Sequence, residues 1–203
     1  MAQPYEQIGV VILGAGASAR MGRPKLLLPW GRTSVVGHLF ELWLGTGAQI
    51  TIVVRPNDGP LAVELDRLQF PADHRIVNAQ PERGMFSSIV CAAKWDGWRK
   101  EIARWAVVLG DQPHLRPETL WQLLACATQN KEAICQPVSG GCKGHPVILP
   151  KRAFEELKDT GAATLKDFLN LTTVPGVQCP MADAGLLLDM DTPEDYKRLL
   201  DFH

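Results

Sequence analysis

Leu13-Gly14-Ala15-Gly16-Ala17-Ser18-Ala19-Arg20-Met21-Gly22-Arg23-Pro24-Lys25 follows the first apolar run of this 203-residue chain, and its reading decides the fold. The run ahead of it, residues 8–13, is β-rich, and small side chains at 14–19 let the backbone approach a ligand closely. Successive exposed N–H groups in such a turn make an anion-binding nest. Arg20, Arg23 and Lys25 place mobile positive charge directly behind it. An oligophosphate is the natural partner of that combination.

Two other glycine-loop readings fail on spacing. Gly14-x-Gly16-x-x-Ala19 matches the dinucleotide fingerprint, but that fingerprint needs a helix at once and an acid about 20 residues on, at the end of the second strand. Met21-Gly22-Arg23-Pro24 breaks a helix, and the second strand runs into Arg55, which offers a ribose no carboxylate. A Walker loop is excluded because G-K-[ST] is absent.

Outward from this loop, short β-rich runs alternate with Gly- or Pro-containing loops and segments of helical spacing, the pattern of a mostly parallel open sheet with helices on both faces. Strands are expected at 8–13, 50–54, 74–77, 104–109, 133–136, 146–149 and 186–188. Helices are expected at 35–43 behind Thr33 or Ser34 as cap, at 61–68, 86–95, 117–127, 152–157 and 164–169. A final helix is opened by Asp191-Thr192-Pro193-Glu194, where cap candidates, a proline and first-turn acids coincide. No repeat or linker breaks the chain, so residues 1–203 read as one α/β domain of three-layer, Rossmann-like type, with 135–173 as a subregion covering one sheet edge on the acceptor side.

The bulk composition narrows the classes. A 46% hydrophobic content suits a substantial core, and a formal net charge of −1 leaves no global footprint for nucleic acid or an anionic membrane. The five cysteines are odd in number and contain no C-x-x-C, which argues against a disulfide framework and a zinc site. No signal peptide or membrane-spanning run is evident, so a reduced, cytoplasmic protein is expected.

Other stations carry chemistry. Asp111, in Gly110-Asp111-Gln112-Pro113, falls beyond the carboxyl end of a strand, where an open α/β sheet places its site and where a carboxylate can hold Mg²⁺. Asp189-Met190-Asp191-Thr192-Pro193-Glu194-Asp195 offers Asp191 either as a second metal carboxylate or as a helix cap, with Asp189 close by. Ser87 and Ser88 open a helix, and spacing does not separate capping from donation to a ligand. His145 precedes a strand, either as a structural hydrogen bonder or as an acceptor contact.

The opening loop resembles L-A-A-G-x-S-x-R-M-G-x-x-K of the MobA-like nucleotidyltransferases, with Gly14 in place of alanine. The D-Q-P, D-x-D-T-P-E-D, N-x-x-x-x-x-G-M-x-x-S-[IL] and G-H-P motifs stand in order as residues 111–113, 189–195, 78–89 and 144–146. The likeness runs from Val10 to Tyr196 and is nearest to the molybdenum cofactor cytidylyltransferases, since Ala15 stands where guanylyltransferases carry glycine.

That resemblance implies CTP bound at Leu13, Gly14, Ala15, Gly16, Ser18, Arg20, Lys25, Arg55, Asn78 and Ser88. It implies Mg²⁺ on Asp111 and Asp191, His145 facing the acceptor, and Arg20, Lys25 and Asp111 in catalysis. The implied reaction transfers CMP to the terminal phosphate of molybdopterin, and a cofactor-receiving enzyme is an implied partner. Relatives often carry G-D-x-G-A-R where this chain has Lys158-Asp159-Thr160-Gly161-Ala162-Ala163, without the arginine, which leaves the acceptor open. Another phosphorylated acceptor, such as a sugar phosphate or cofactor precursor, and a non-catalytic delivery module are the alternatives.

Overall fold

A computed structural model describes residues 5–16, 18 and 20–201; Ala17 and Ala19 of the quoted loop lie outside these. The first half runs through β1 (Ile8–Leu13), a small hairpin of β2 (Pro29–Trp30) and β3 (Thr33–Ser34), α1 (Val35–Leu44), β4 (Gln49–Val54), α2 (Gly59–Arg67), β5 (Arg75–Val77) and α3 (Met85–Lys94). The second half runs through β6 (Arg104–Leu109), α4 (Pro117–Gln129), β7 (Ile134–Ser139), β8 (Cys142–Lys143), β9 (Val147–Pro150), α5 (Lys151–Glu156), α6 (Leu165–Leu171), β10 (Gly176–Pro180) and α7 (Pro193–Leu200).

The main sheet has the order β10-β7-β9-β6-β1-β4-β5, with β8 paired to β7. β9 is antiparallel to β6 and β7, while β1, β4, β5 and β6 pair in parallel, as do β7 and β10. Residues 135–173 are therefore woven into the sheet, because β9 lies between β6 and β7.

Strands covered on both faces are apolar at every position, and β1 shows it: Val10 and Ile12 face one layer and Val11 the other, all fully buried. α1, α2, α4 and α7 cover the first face; α3, α5 and α6 cover the second. Trp105 stacks on Phe154 with centroids 4.2 Å apart, fastening α5 to β6. Each such buried side chain contributes roughly 1.5–3 kcal/mol.

Three sequence expectations change. At 186–188 the chain makes a 3₁₀ turn, Ala184–Leu187, rather than a strand. The Asp183 side chain accepts from Gly185 N and the Leu188 N–H returns to Gly185 O, so local bonds satisfy a segment that its leucines alone would extend. The edge strand β10 falls in a segment to which the sequence reading assigns no element.

The cysteines are the third change: Cys126 on α4 and Cys179 on β10 are joined by a disulfide across a separation of 53 residues. Helix packing over the sheet brings them together, which spacing alone does not reveal. In the chain-entropy picture a loop of that length restricts the unfolded chain by about 4 kcal/mol.

The last helix starts one residue later than Asp191 would place it. Thr192 is the cap: its hydroxyl accepts from Asp195 N at 3.2 Å while the Asp195 carboxylate accepts from Thr192 N at 3.0 Å, a reciprocal capping box. Thr192→Ala should therefore cost about 1 kcal/mol, read as a lower urea midpoint at unchanged slope. The arrangement leaves the Asp191 carboxylate free of capping duty.

Candidate active site

In the sheet, β1 connects toward β4 and β5 on one side while β6 lies on its other side, so the strand order reverses between β1 and β6. Ligands of open α/β sheets bind in the crevice at such a point, outside the carboxyl ends of the strands. Leu13 and Leu109 are register partners at those ends, and the chain leaves them as Gly14 and Gly110. A Cβ at Gly110 would lie 2.7 Å from Leu13 O, so glycine is required for the two strand exits to run side by side. At Gly14 a Cβ would lie 3.0 Å from Val53 O, so a larger residue there would press on the neighbouring β4.

The loop after β1 closes on itself. Ser18 adopts a left-handed backbone with φ 51°, and its hydroxyl accepts from Lys25 N at 3.1 Å. That closure turns Lys25 toward the crevice. Its Nζ donates to Asp191 Oδ1 at 2.7 Å and Asp111 Oδ2 at 3.1 Å, while Arg20 Nη1 pairs with Asp191 Oδ2 at 2.8 Å. Two carboxylates 80 residues apart in sequence thus converge on one ammonium.

Burial disfavours the Lys25 charge, but bonds and charges from Asp191 and Asp111 together outweigh it, so its pKa stands above the usual 10.5. Asp189 completes the acidic group. Burial, then the Asp111 charge, pushes its carboxyl above the usual 3.8, against the hydrogen bond it accepts from Gln112 Nε2 at 3.0 Å.

A cavity of about 770 Å³ opens beside this cluster. Its wall includes Leu13, Gly14, Ala15, Gly16, Ser18 and Lys25 from the first loop, together with Arg55, Ser88 and Asp111. Asp191 joins through its ion pair with Lys25, and Arg20 through its ion pair with Asp191. Asn78 is buried behind the wall and donates to Ser88 Oγ at 3.0 Å and Ser87 Oγ at 2.8 Å, which fixes both serines. Neither serine caps α3; Gly84, with φ 85°, stands at that cap.

His145 does not line the cavity. It lies partly buried within electrostatic reach of Asp111, with Nδ1 3.4 Å from Val107 O and a cis bond to Pro146. Sequence reasoning missed Asp58, Glu82 and Met85, which also line the cavity. Asp58 was findable: it caps α2 ahead of Gly59-Pro60, and its other oxygen holds Arg55 Nη2 at 3.1 Å.

Two histidines near the cluster give a pH signature. His114 and His145 both have pKa values below the usual 6.5, chiefly because burial opposes protonation; bonds to Gly185 O and Val107 O and nearby aspartates oppose this weakly. Each binds fewer protons folded than unfolded in the interval below 6.5, so stability is lost as pH falls through it. The urea midpoint should drop between about pH 7 and about pH 5, and His114→Gln with His145→Gln should flatten that slope.

Comparison with known proteins bears on the family and the fold. The chain matches the MobA-like NTP transferase domain over residues 10–175. It is 24% identical over 194 residues to the molybdenum cofactor cytidylyltransferase of Escherichia coli (strain K12), covering 93% of each. It superposes on the crystal structure of Rv0371c from Mycobacterium tuberculosis H37Rv with a TM-score of 0.74 at 27% identity, covering 96% of this chain and 97% of that one. A complex of Rv0371c with manganese gives a TM-score of 0.71 at 24% identity, covering 96% and 98%. A match that spans most of the sheet and both strand exits of the crevice places this chain in the MobA-like NTP transferase family, as a nucleotidyltransferase.

Proposed function

We propose that the protein transfers CMP from CTP to the terminal phosphate of molybdopterin, with release of pyrophosphate. The observation that carries this reading is the Lys25 ammonium, held by Asp111 and Asp191 at the rim of a glycine-walled cavity. Small residues there admit a triphosphate, and the cations behind them match its charge. The 24% identical cytidylyltransferase and Ala15 in the third motif position favour cytosine and a molybdopterin acceptor.

The donor set suits a divalent ion. Asp111 and Asp191 present hard carboxylate oxygens that already converge on one cation, which is what Mg²⁺ or Mn²⁺ takes alongside substrate phosphates. When bound, such an ion neutralises phosphate charge and polarises the α-phosphorus. The other steps belong to the chain. Backbone at 14–16 and the Ser18 turn cradle the phosphates, while Ser88, steadied by Asn78, and Arg55 meet the base or ribose.

Lys25 and Arg20 then offset charge on the departing pyrophosphate. The acceptor phosphate attacks as an anion, so no side chain needs to remove a proton, and catalysis is positioning plus charge neutralisation. His145 stands within electrostatic reach of Asp111 on the acceptor side.

Pyrophosphate release measured for each of the four NTPs against a set of acceptors, with Mg²⁺ or Mn²⁺, tests the reading. Stoichiometric release with CTP and molybdopterin is expected. Release with a sugar phosphate or another cofactor precursor instead would replace the acceptor and leave the transferase. Tight CTP binding with no turnover on any acceptor would point to a delivery module.

A further inference from the structure

Away from the crevice, the described residues contain a cluster of three sulfurs: the Sγ atoms of Cys126, Cys135 and Cys179 all lie within 4.8 Å of one another. Cys126 and Cys179 are bonded, and Cys135 is a free, fully buried thiol beside them. The sheet register explains the closeness. Cys135 on β7 is the partner of Val177 on β10, so Cys179, two residues on, projects from the same face as Cys135. α4 lies over that face and brings Cys126 down onto the pair.

A second observation singles out this spot. Arg104, at the start of β6, is buried, and its Nε has no hydrogen-bond partner. It shares a face with Ala106, which is in register through Ile148 with Cys135. A buried N–H left without a partner carries a desolvation cost. Burial raises the pKa of the Cys135 thiol, and the nearby Arg104 charge partly opposes that rise. The proposed transfer reaction uses none of these residues.

We propose that Cys126, Cys135 and Cys179 form an internal thiol–disulfide exchange site, in which the bond to Cys179 passes between Cys126 of α4 and Cys135 of β7. Cys135 gives up its proton, and its thiolate attacks Cys179 Sγ. A Cys135–Cys179 bond forms as the Cys126–Cys179 bond breaks. Cys126 leaves as a thiolate and takes a proton. One disulfide and one thiol are present before and after, and the proton lost by Cys135 is balanced by the one Cys126 gains, so no oxidant or reductant is consumed.

The exchange swaps a staple between layers for a staple within the sheet. It also leaves Cys126, the one partly exposed sulfur of the three, as a free thiol open to thiol-reactive molecules.

The test uses the full chain with Cys91→Ser and Cys142→Ser, which removes the two unrelated free cysteines. The air-oxidised protein is alkylated with iodoacetamide under native conditions, quenched in acid and mapped by mass spectrometry without reduction. Alkylation is expected on Cys126 together with the Cys135–Cys179 linked peptide, while the remaining fraction carries the Cys126–Cys179 linked peptide and an unalkylated Cys135. Adding Cys135→Ala should lower labelling of Cys126 at least about tenfold, because the attacking thiol is gone.

Circular dichroism and CTP binding check that this variant folds, and the linked peptide in the parent protein decides the matter without it. Finding only Cys126–Cys179, finding Cys126 labelled equally in Cys135→Ala, or finding three free thiols around one tightly held zinc ion per chain would overturn the proposal.

Discussion

Asp111→Asn is expected to lower turnover about a thousandfold, a loss of roughly 4 kcal/mol in transition-state stabilisation. The substitution keeps shape and hydrogen-bonding capacity while removing the charge that faces Lys25 and Asp189. Asp111 is about a quarter exposed, and its backbone carbonyl, which accepts from Met190 N, is untouched, so the fold should persist. Circular dichroism and the urea midpoint should stay close to wild type while pyrophosphate release collapses.

Manganese affinity, measured by electron paramagnetic resonance without nucleotide, should fall with it. The carboxyl of Asp189 should relax toward its ordinary value, because a neighbouring negative charge is gone. Near-wild-type pyrophosphate release would remove Asp111 from the mechanism.

Much of this site is legible in the sequence because local chemistry dictates it. β1, and β6 beyond Arg104, are apolar runs followed by glycine, and their bounds match the reading of residues 8–13 and 104–109. Of the two cap candidates, Thr33 and Ser34, it is Ser34 that caps α1, accepting from Gly37 N. The glycine-rich loop and its cations announce an anion site whatever the rest of the chain does.

What the sequence hides is distance. Nothing local tells that the loop after 188 folds back so that Asp191 meets Lys25, or that β9 enters the sheet antiparallel beside β6. The same blindness covers Cys126 and Cys179, and it misreads 186–188, where buried leucines mimic a strand while side-chain and turn bonds shape the backbone. The capping box illustrates the middle ground. Asp191-Thr192-Pro193-Glu194 correctly announces a helix, yet which of two adjacent residues caps it depends on Asp195 reaching back, a geometric fact.

Lys25→Ala should cost turnover about a hundredfold to a thousandfold, the range seen when one preorganised donor to a developing charge is removed. Unlike Asp111→Asn, it should leave manganese binding without nucleotide at least as tight as in wild type. The ammonium competes with any cation for Asp111 and Asp191, and its removal frees both oxygens. Opposite signs on metal affinity with the same sign on turnover separate a residue that holds the ion from one that acts on the phosphates.

The kinetic split carries the argument further. If Lys25 follows negative charge onto the departing pyrophosphate, the loss falls on kcat, because that charge builds only in the transition state; if it merely binds the triphosphate, the loss falls on KM. Lys25→Arg should recover little, since a planar guanidinium does not fit where a compact ammonium, only 14% exposed, is gripped by two carboxylates. A KM effect alone, with kcat unchanged, would confine Lys25 to binding and shift the neutralising role to Arg20, the other cation on Asp191.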